Sequence, residues 1–211
     1  MFNRKAETHQ EEAFTGLDAA REYAENTRKS TTKYRAFFSN LEALGIQGKY
    51  LDVGAGTGNL ATIISQKSPD VGITALEISA DMVTIGEEYI REEGIQDQIK
   101  FIKGDSTDRE MMDRLGKFDL IYSTYSLHHW ENPKKAIDNL MSNLSDNGVL
   151  YLYDLRRVWW LYWIPVNNGF YNSIRAAYVR KEIREMLVGL PPESYEIRYE
   201  FPFMQTIIIR K

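Results

Sequence analysis

No cysteine occurs anywhere in the 211 residues. Disulfides, thiolate-bound metals and a cysteine nucleophile are thereby excluded, and a reducing compartment suits the chain. Histidine is scarce, with three positions, so imidazole chemistry has few places to act. The longest apolar run, Val158 to Val166, falls short of the about 20 residues that a bilayer-spanning helix needs. Behind the polar start (Asn3, Arg4, Lys5, Glu7) comes no apolar stretch of the signal-peptide kind, so a cytoplasmic location is expected. An excess of positive charge is missing too. The net charge is −4, which gives nucleic acid no global attraction. There is no internal repeat and no low-complexity tract.

What remains is ordinary globular material, 43% hydrophobic and 27% charged, long enough for one domain with a cap. Residues 1–16 are polar and read as frayed. From Leu17 to Leu44 the pattern is helical: Tyr34, Phe37, Phe38 and Leu41 share a face, with Ser30 to Thr32 as caps. Residues 1–45 are therefore expected to form an N-terminal helical cap, and residues 46–211 the main domain.

That domain is organised around Lys49-Tyr-Leu-Asp-Val-Gly-Ala-Gly-Thr-Gly-Asn59. An apolar strand runs into Gly54, Gly56 and Gly58, and a helix with Leu60, Ala61, Ile63 and Ile64 on one face starts at once. Glycines allow positive φ and close approach, and the helix offers free N–H groups. Further strands are expected at Ile73–Ile78, Ile99–Ile102, Phe118–Thr124 and Val149–Tyr153. Helices over Ala80–Glu93, 107–116 and from Asn132-Pro133 to Asn147-Gly148 separate them. Such alternation predicts right-handed βαβ units in a parallel sheet, with ligands beyond the carboxyl ends of the strands. The polar residues just after the strands are then the site: Gly54–Gly58, Glu77, Asp105, Ser123–His129 and Asp154.

A dinucleotide fingerprint reads G-x-G-x-x-G/A. Counted from Gly54, its third glycine would fall on Asn59; the frame here is D-x-G-x-G-x-G, headed by Asp52. With Ala75-Leu76-Glu77-Ile78-Ser79, Gly104-Asp105-Ser106, Phe118-Asp119-Leu120-Ile121, Leu127-His128-His129 and Leu144 to Leu150, the chain from about Tyr50 to Lys211 resembles the class I S-adenosylmethionine (SAM)-dependent methyltransferases. The resemblance implies an α/β doubly wound, mostly parallel seven-stranded sheet. It also implies two antiparallel strands in Tyr195–Phe201 and Phe203–Ile209, and a helical insertion over 155–192. SAM is the implied cofactor and S-adenosylhomocysteine (SAH) its product. Gly54, Ala55, Gly56 and Gly58 would border the amino-acid end, Asp52 the ammonium and Glu77 the ribose hydroxyls. Ile78 and Met82 would sandwich the adenine, with Asp105 on its amino group and Ser106 beside it. Asn59, like Thr57, can serve the loop or cap the following helix.

The acceptor is less legible. Ser123 to Trp130 should border the sulfonium, and Tyr125 and His128 are the residues there able to act as base. The family's nucleic-acid amino-methylating branch carries an acidic or Asn residue, two prolines and an aromatic at that place, which this chain does not. Its metal-dependent O-methylating branch carries an Asp where Ser123 and Thr124 stand, so no metal is expected. The insertion holds Trp159, Trp160 and Trp163, and six basic against three acidic residues between 154 and 190. Such a wall suits a hydrophobic or aromatic anionic small molecule in an acceptor pocket. It also suits a membrane surface with a lipid-like substrate, or packing against the sheet or a second subunit. A non-catalytic SAM-binding interaction protein and an NAD-type oxidoreductase are the competing readings.

Overall fold

The computed structural model describes residues 4–5, 16–28, 32–163 and 168–211. Of the expected caps, Ser30 and Thr31 lie outside these residues, as do Ile164, Pro165 and Val166 of the apolar run and residues 6–15 of the N-terminal stretch.

Two helices, α1 (Leu17–Arg28) and α2 (Arg35–Leu44), lead into the alternating unit. This runs β1 (Lys49–Val53), α3 (Asn59–Lys67), β2 (Gly72–Glu77), α4 (Ala80–Glu92), β3 (Ile99–Lys103), α5 (Arg109–Leu115), β4 (Phe118–Thr124), α6 (Pro133–Ser142) and β5 (Leu144–Leu155). Two short helices, α7 (Gly169–Ala176) and α8 (Arg180–Met186), fill the insertion before β6 (Tyr195–Glu200) and β7 (Met204–Arg210). The seven strands form one sheet in the order β3-β2-β1-β4-β5-β7-β6. The first five are parallel, and β7 runs antiparallel to both β5 and β6. This is the class I methyltransferase architecture, as the motif order implies. Among the described residues no helix is long and apolar enough to cross a membrane.

The period of two along each strand sorts the two faces chemically. One face carries Tyr50, Leu120, Tyr122, Tyr151 and Tyr153, and α2 covers it. Phe37 of α2 is fully buried there and stacks on Tyr151, ring centroids 4.9 Å apart and nearly coplanar. The opposite face is aliphatic, with Leu51, Val53, Ile121, Leu150 and Leu152 packed on α5, α6 and α8. A buried Phe or Leu contributes about 1.5–3 kcal/mol, so α2 is part of the core and not a loosely attached cover. Asn40 secures it further, donating to the Tyr151 hydroxyl, Glu200 and Thr206.

Two boundaries differ from expectation. The helix before β5 ends at Ser142, and the fifth strand begins at Leu144 and not Val149. Asn143 ends the helix by donating its amide to the carbonyls of Met112 and Gly116. Asn147, at φ 68°, lies inside the strand as an irregularity, not beyond a helix end. Secondly, α2 starts after a 3₁₀ turn at Thr32–Tyr34, and no side chain caps it.

Candidate active site

All five parallel strands deliver their carboxyl ends to one edge. After β1 the chain turns through Gly54, Gly56 and Gly58, every one at positive φ. The amides of Gly54 and Ala55 both donate to the Leu76 carbonyl, tying the loop to β2. A Cβ at Gly54 would stand 2.2 Å from the Ser126 hydroxyl, so the post-β4 loop packs directly on this turn. A Cβ at Gly56 would meet nothing within 4 Å: the cradle opens there.

Glu77, at the end of β2, is buried and held on both carboxylate oxygens. Oε2 accepts from the Gly56 amide at 2.8 Å and Oε1 from the Ser79 amide at 2.9 Å. Each oxygen keeps lone-pair capacity for a further donor. Ser79 also caps α4 by accepting from Met82 N–H. Asp52, one strand over, is 2% exposed, and its Oδ2 has no hydrogen-bond partner among the described residues. Burial pushes its carboxyl up to about 8. The Tyr122 hydroxyl beside it favours the charged form without reaching regular bonding geometry to Oδ2, and the charge of Glu77 disfavours it. A buried acceptor left unpaired is costly, so Asp52 is poised for a cationic donor.

The loop after β4 is lined with aromatic rings. Tyr125 follows β4 at φ 53°, a left-handed conformation unusual for a tyrosine, with its amide on the Tyr153 carbonyl. Its ring meets Tyr34 and Tyr153 edge-on, both at 5.9 Å. Burial raises the hydroxyls of Tyr34, Tyr125 and Tyr153, so all three stay protonated at neutral pH. The Lys33 ammonium lies 4.9 Å from the Tyr34 ring centre and 5.5 Å from that of Tyr125, and burial lowers its pKa. His128 is 2% exposed, and its Nδ1 is 2.7 Å from Asp154 Oδ1 while its amide donates to Oδ2. Arg4 closes this corner, donating to the carbonyls of His128 and Ala176 and lying over the Tyr178 ring.

Residues 51–150 match a family model described as a methyltransferase domain. A demethylmenaquinone methyltransferase of Porphyromonas gingivalis is 31% identical over 153 residues, 67% of this chain and 61% of that protein. The plantazolicin methyltransferase BpumL in complex with SAH shares the fold with a TM-score of 0.69 at 16% identity, covering 94% of this chain and 92% of that one. PigF with SAH aligns over 98% of this chain and 63% of its own, with a TM-score of 0.73 at 15% identity. The chain belongs to the class I SAM-dependent methyltransferases. It spans from a quarter to about three fifths of the length of the first curated relatives it matches.

Set against that family's donor, the residues fit. SAM carries an ammonium, a carboxylate and a ribose diol. Asp52 offers an unpaired buried oxygen, Gly56 an open cradle and Glu77 a fixed carboxylate. The other expected cofactor residues distribute unevenly. Ile78 is 53% exposed at the mouth, whereas Met82 is buried beneath Ala20 and Ala24 of α1. Asp105 is exposed and accepts from the Thr107 amide, with Ser106 buried beside it. Ser123 donates to the Val53 carbonyl at 2.7 Å, locking β4 to β1. Asn59 caps nothing: Gly58 holds the cap position of α3, and the Asn59 amide reaches Thr27 of α1. The Thr57 hydroxyl is buried without a partner, so it caps nothing either.

Sequence reasoning passed over Ser79, Lys33 and Arg4. Ser79 carried a signal, being a capping residue directly after the acid of β2. Lys33 and Arg4 carried none, because their contacts are made across the fold. Among the described residues no group of three His, Asp or Glu stands ready to hold a metal.

Proposed function

We propose that this protein transfers a methyl group from SAM to a small acceptor, hydrophobic or aromatic and bearing an anionic group. The observation that carries the donor half is the fixed Glu77 carboxylate beside the open Gly56 cradle and the unpaired Asp52 oxygen. In this reading Asp52 receives the ammonium and Glu77 the ribose hydroxyls. Gly54, Ala55, Gly56 and Gly58 border the amino-acid end. Ile78, Asp105 and Ser106 lie along the adenine side, while Met82, Asn59 and Ser123 support the walls from behind.

Once bound, SAM supplies an electrophilic methyl group, and the protein's task is alignment and exclusion of water. Tyr34, Tyr125 and Tyr153 offer apolar faces and protonated hydroxyls to an aromatic acceptor. The half-buried Lys33 ammonium supplies the charge complement for an anionic substituent. His128 is assigned a positioning role: its ring is committed to Asp154, and the pair fixes the turn that carries Tyr125. Catalysis then rests chiefly on proximity and orientation.

Titration calorimetry with SAH tests the donor half. Binding of one SAH per chain is expected; no heat with SAM or SAH, together with tight NADH binding, would sink the reading. A hydroxylated aromatic acid offered with radiolabelled SAM tests the acceptor half. Lys33→Met is expected to lower turnover of the acid more than that of its methyl ester.

A further inference from the structure

Between β5 and the final hairpin the chain turns its largest side chains outward. Trp159 and Trp163 are 66% and 73% exposed and Trp160 39%, while Val158 just before them and Leu161 among them are buried and anchor the turn. The expectation that the tryptophans pack against the sheet therefore fails, because the smaller aliphatic residues take that place. Phe201, in the β6–β7 turn, is 97% exposed, and Phe170 of α7 is 47% exposed.

These residues form one neighbourhood. The Arg156 amide donates to the Phe203 carbonyl at 2.7 Å, and Phe170 meets Phe203 edge-on at 5.2 Å. The Trp159–Trp163 turn packs on α7. Monomeric soluble proteins rarely leave this many large apolar side chains exposed in one region unless the surface has an occupant. Its rim is basic. The guanidinium carbons of Arg156 and Arg180 stand 4.2 and 4.3 Å from the Tyr199 ring centre. Of the three acids between 154 and 190, Asp154 lies with His128, Glu182 with the buried Arg157 and Glu185 with Lys181. The half-buried Arg156 and Arg180 donate to the backbone carbonyls of Pro202 and Ile197 and not to a carboxylate, so among the described residues their charge stands beside the patch without a balancing acid.

Topology places this patch. Since β7 runs antiparallel to β5 with Met204 opposite Leu155, the β6–β7 turn lies at the same sheet edge as the Gly loop. We propose that the patch docks the protein on an anionic lipid bilayer. Trp159, Trp163 and Phe201 enter the headgroup–acyl boundary, and Arg156 and Arg180 lie against lipid phosphates. Indole rings settle at that boundary, and basic residues gain from the negative surface potential. A second copy is the poorer occupant, since two-fold pairing brings together two copies of the same patch, each carrying the positive charge of Arg156 and Arg180. The proposal does not depend on methyl transfer, although it turns the cofactor edge toward the membrane.

The test is sedimentation of the whole protein with vesicles of phosphatidylcholine and phosphatidylglycerol, compared with phosphatidylcholine alone, at low and high salt. Binding to the mixed vesicles is expected, with a blue shift of tryptophan emission and loss at high salt. Trp159→Ser and Phe201→Ser, on separate elements, should each weaken it by about tenfold with SAH affinity unchanged. Absence of binding to the mixed vesicles at low salt would overturn the proposal, as would equal binding by both variants. So would a dimer, seen by light scattering, that Trp159→Ser dissolves. SAH binding measured on the same samples reports separately on the donor site.

Discussion

The donor edge and the insertion handle their side chains in opposite ways. Around the Gly loop, polar groups are buried and most are spoken for: Glu77 by two amides, Ser123 by the Val53 carbonyl, His128 by Asp154, with Asp52 Oδ2 and the Thr57 hydroxyl left unpaired among the described residues. In the insertion, large apolar groups are exposed, and the one buried cation, Arg157, serves only to pin the segment to Ala177 and Glu182. A site for one fixed small molecule gains from rigid, satisfied groups, because each can be aimed once. A surface that meets a broad or fluid partner gains from exposed aromatic area instead.

Substitutions can sharpen or break that contrast. The largest effect is expected from Gly56→Trp, which fills the open cradle; SAH affinity should fall a hundredfold or more, about 3 kcal/mol, with the circular dichroism spectrum kept. Glu77→Gln replaces a charged double acceptor by an amide facing two N–H donors. Calorimetry should show SAH binding weaker by about 2–3 kcal/mol.

Asp52 gives a pH signature. The native carboxyl holds its proton to about 8, whereas the unfolded one releases it near about 4. Between those values the unfolded state binds fewer protons, so the stability of the free protein should fall as pH rises, and Asp52→Asn should flatten the slope. An ammonium ligand favours the carboxylate, so SAH affinity should climb toward pH 8, by at most about tenfold per unit. A pH-independent affinity in the wild type would separate Asp52 from the ammonium. Asp154→Asn strips His128 of a charged partner and should cost about 1–3 kcal/mol in urea unfolding. The smallest effect belongs to the insertion: Trp159→Ser should change stability by no more than about 0.5 kcal/mol. A larger loss would mean that the indole is covered after all.

Much of the donor edge was legible because its signals are local. The alternation around Leu51 and Ile121 predicts strands, and the spacing of Gly54, Gly56 and Gly58 separates this loop from a dinucleotide frame. Each needs only a few neighbouring residues. The hidden parts depend on contacts between distant residues. Nothing near Met82 says that α1 will cover it, and nothing near His128 says that Asp154, 26 positions on, will take both its ring and its amide. The start of β5 was misread because Asn147-Gly148 carries a strong turn signal, which the pairing of Leu144 with Phe118 overrides.

The placement of β7 also sets an order of events during synthesis. Strand β6 reaches the sheet only through β7, and β7 alone covers the outer edge of β5. A growing chain thus completes its five parallel strands at Leu155 and leaves the outer edge of β5 unpaired until residues 204–210 arrive. At about 5–20 residues per second, that edge stays open for several seconds, and an open strand edge is a template for pairing with another chain. Chains arrested near residue 190 should therefore bind chaperone or aggregate, and chains in which β7 is complete and free to pair should not. The last of the seven strands to be made is the one seated between β5 and β6.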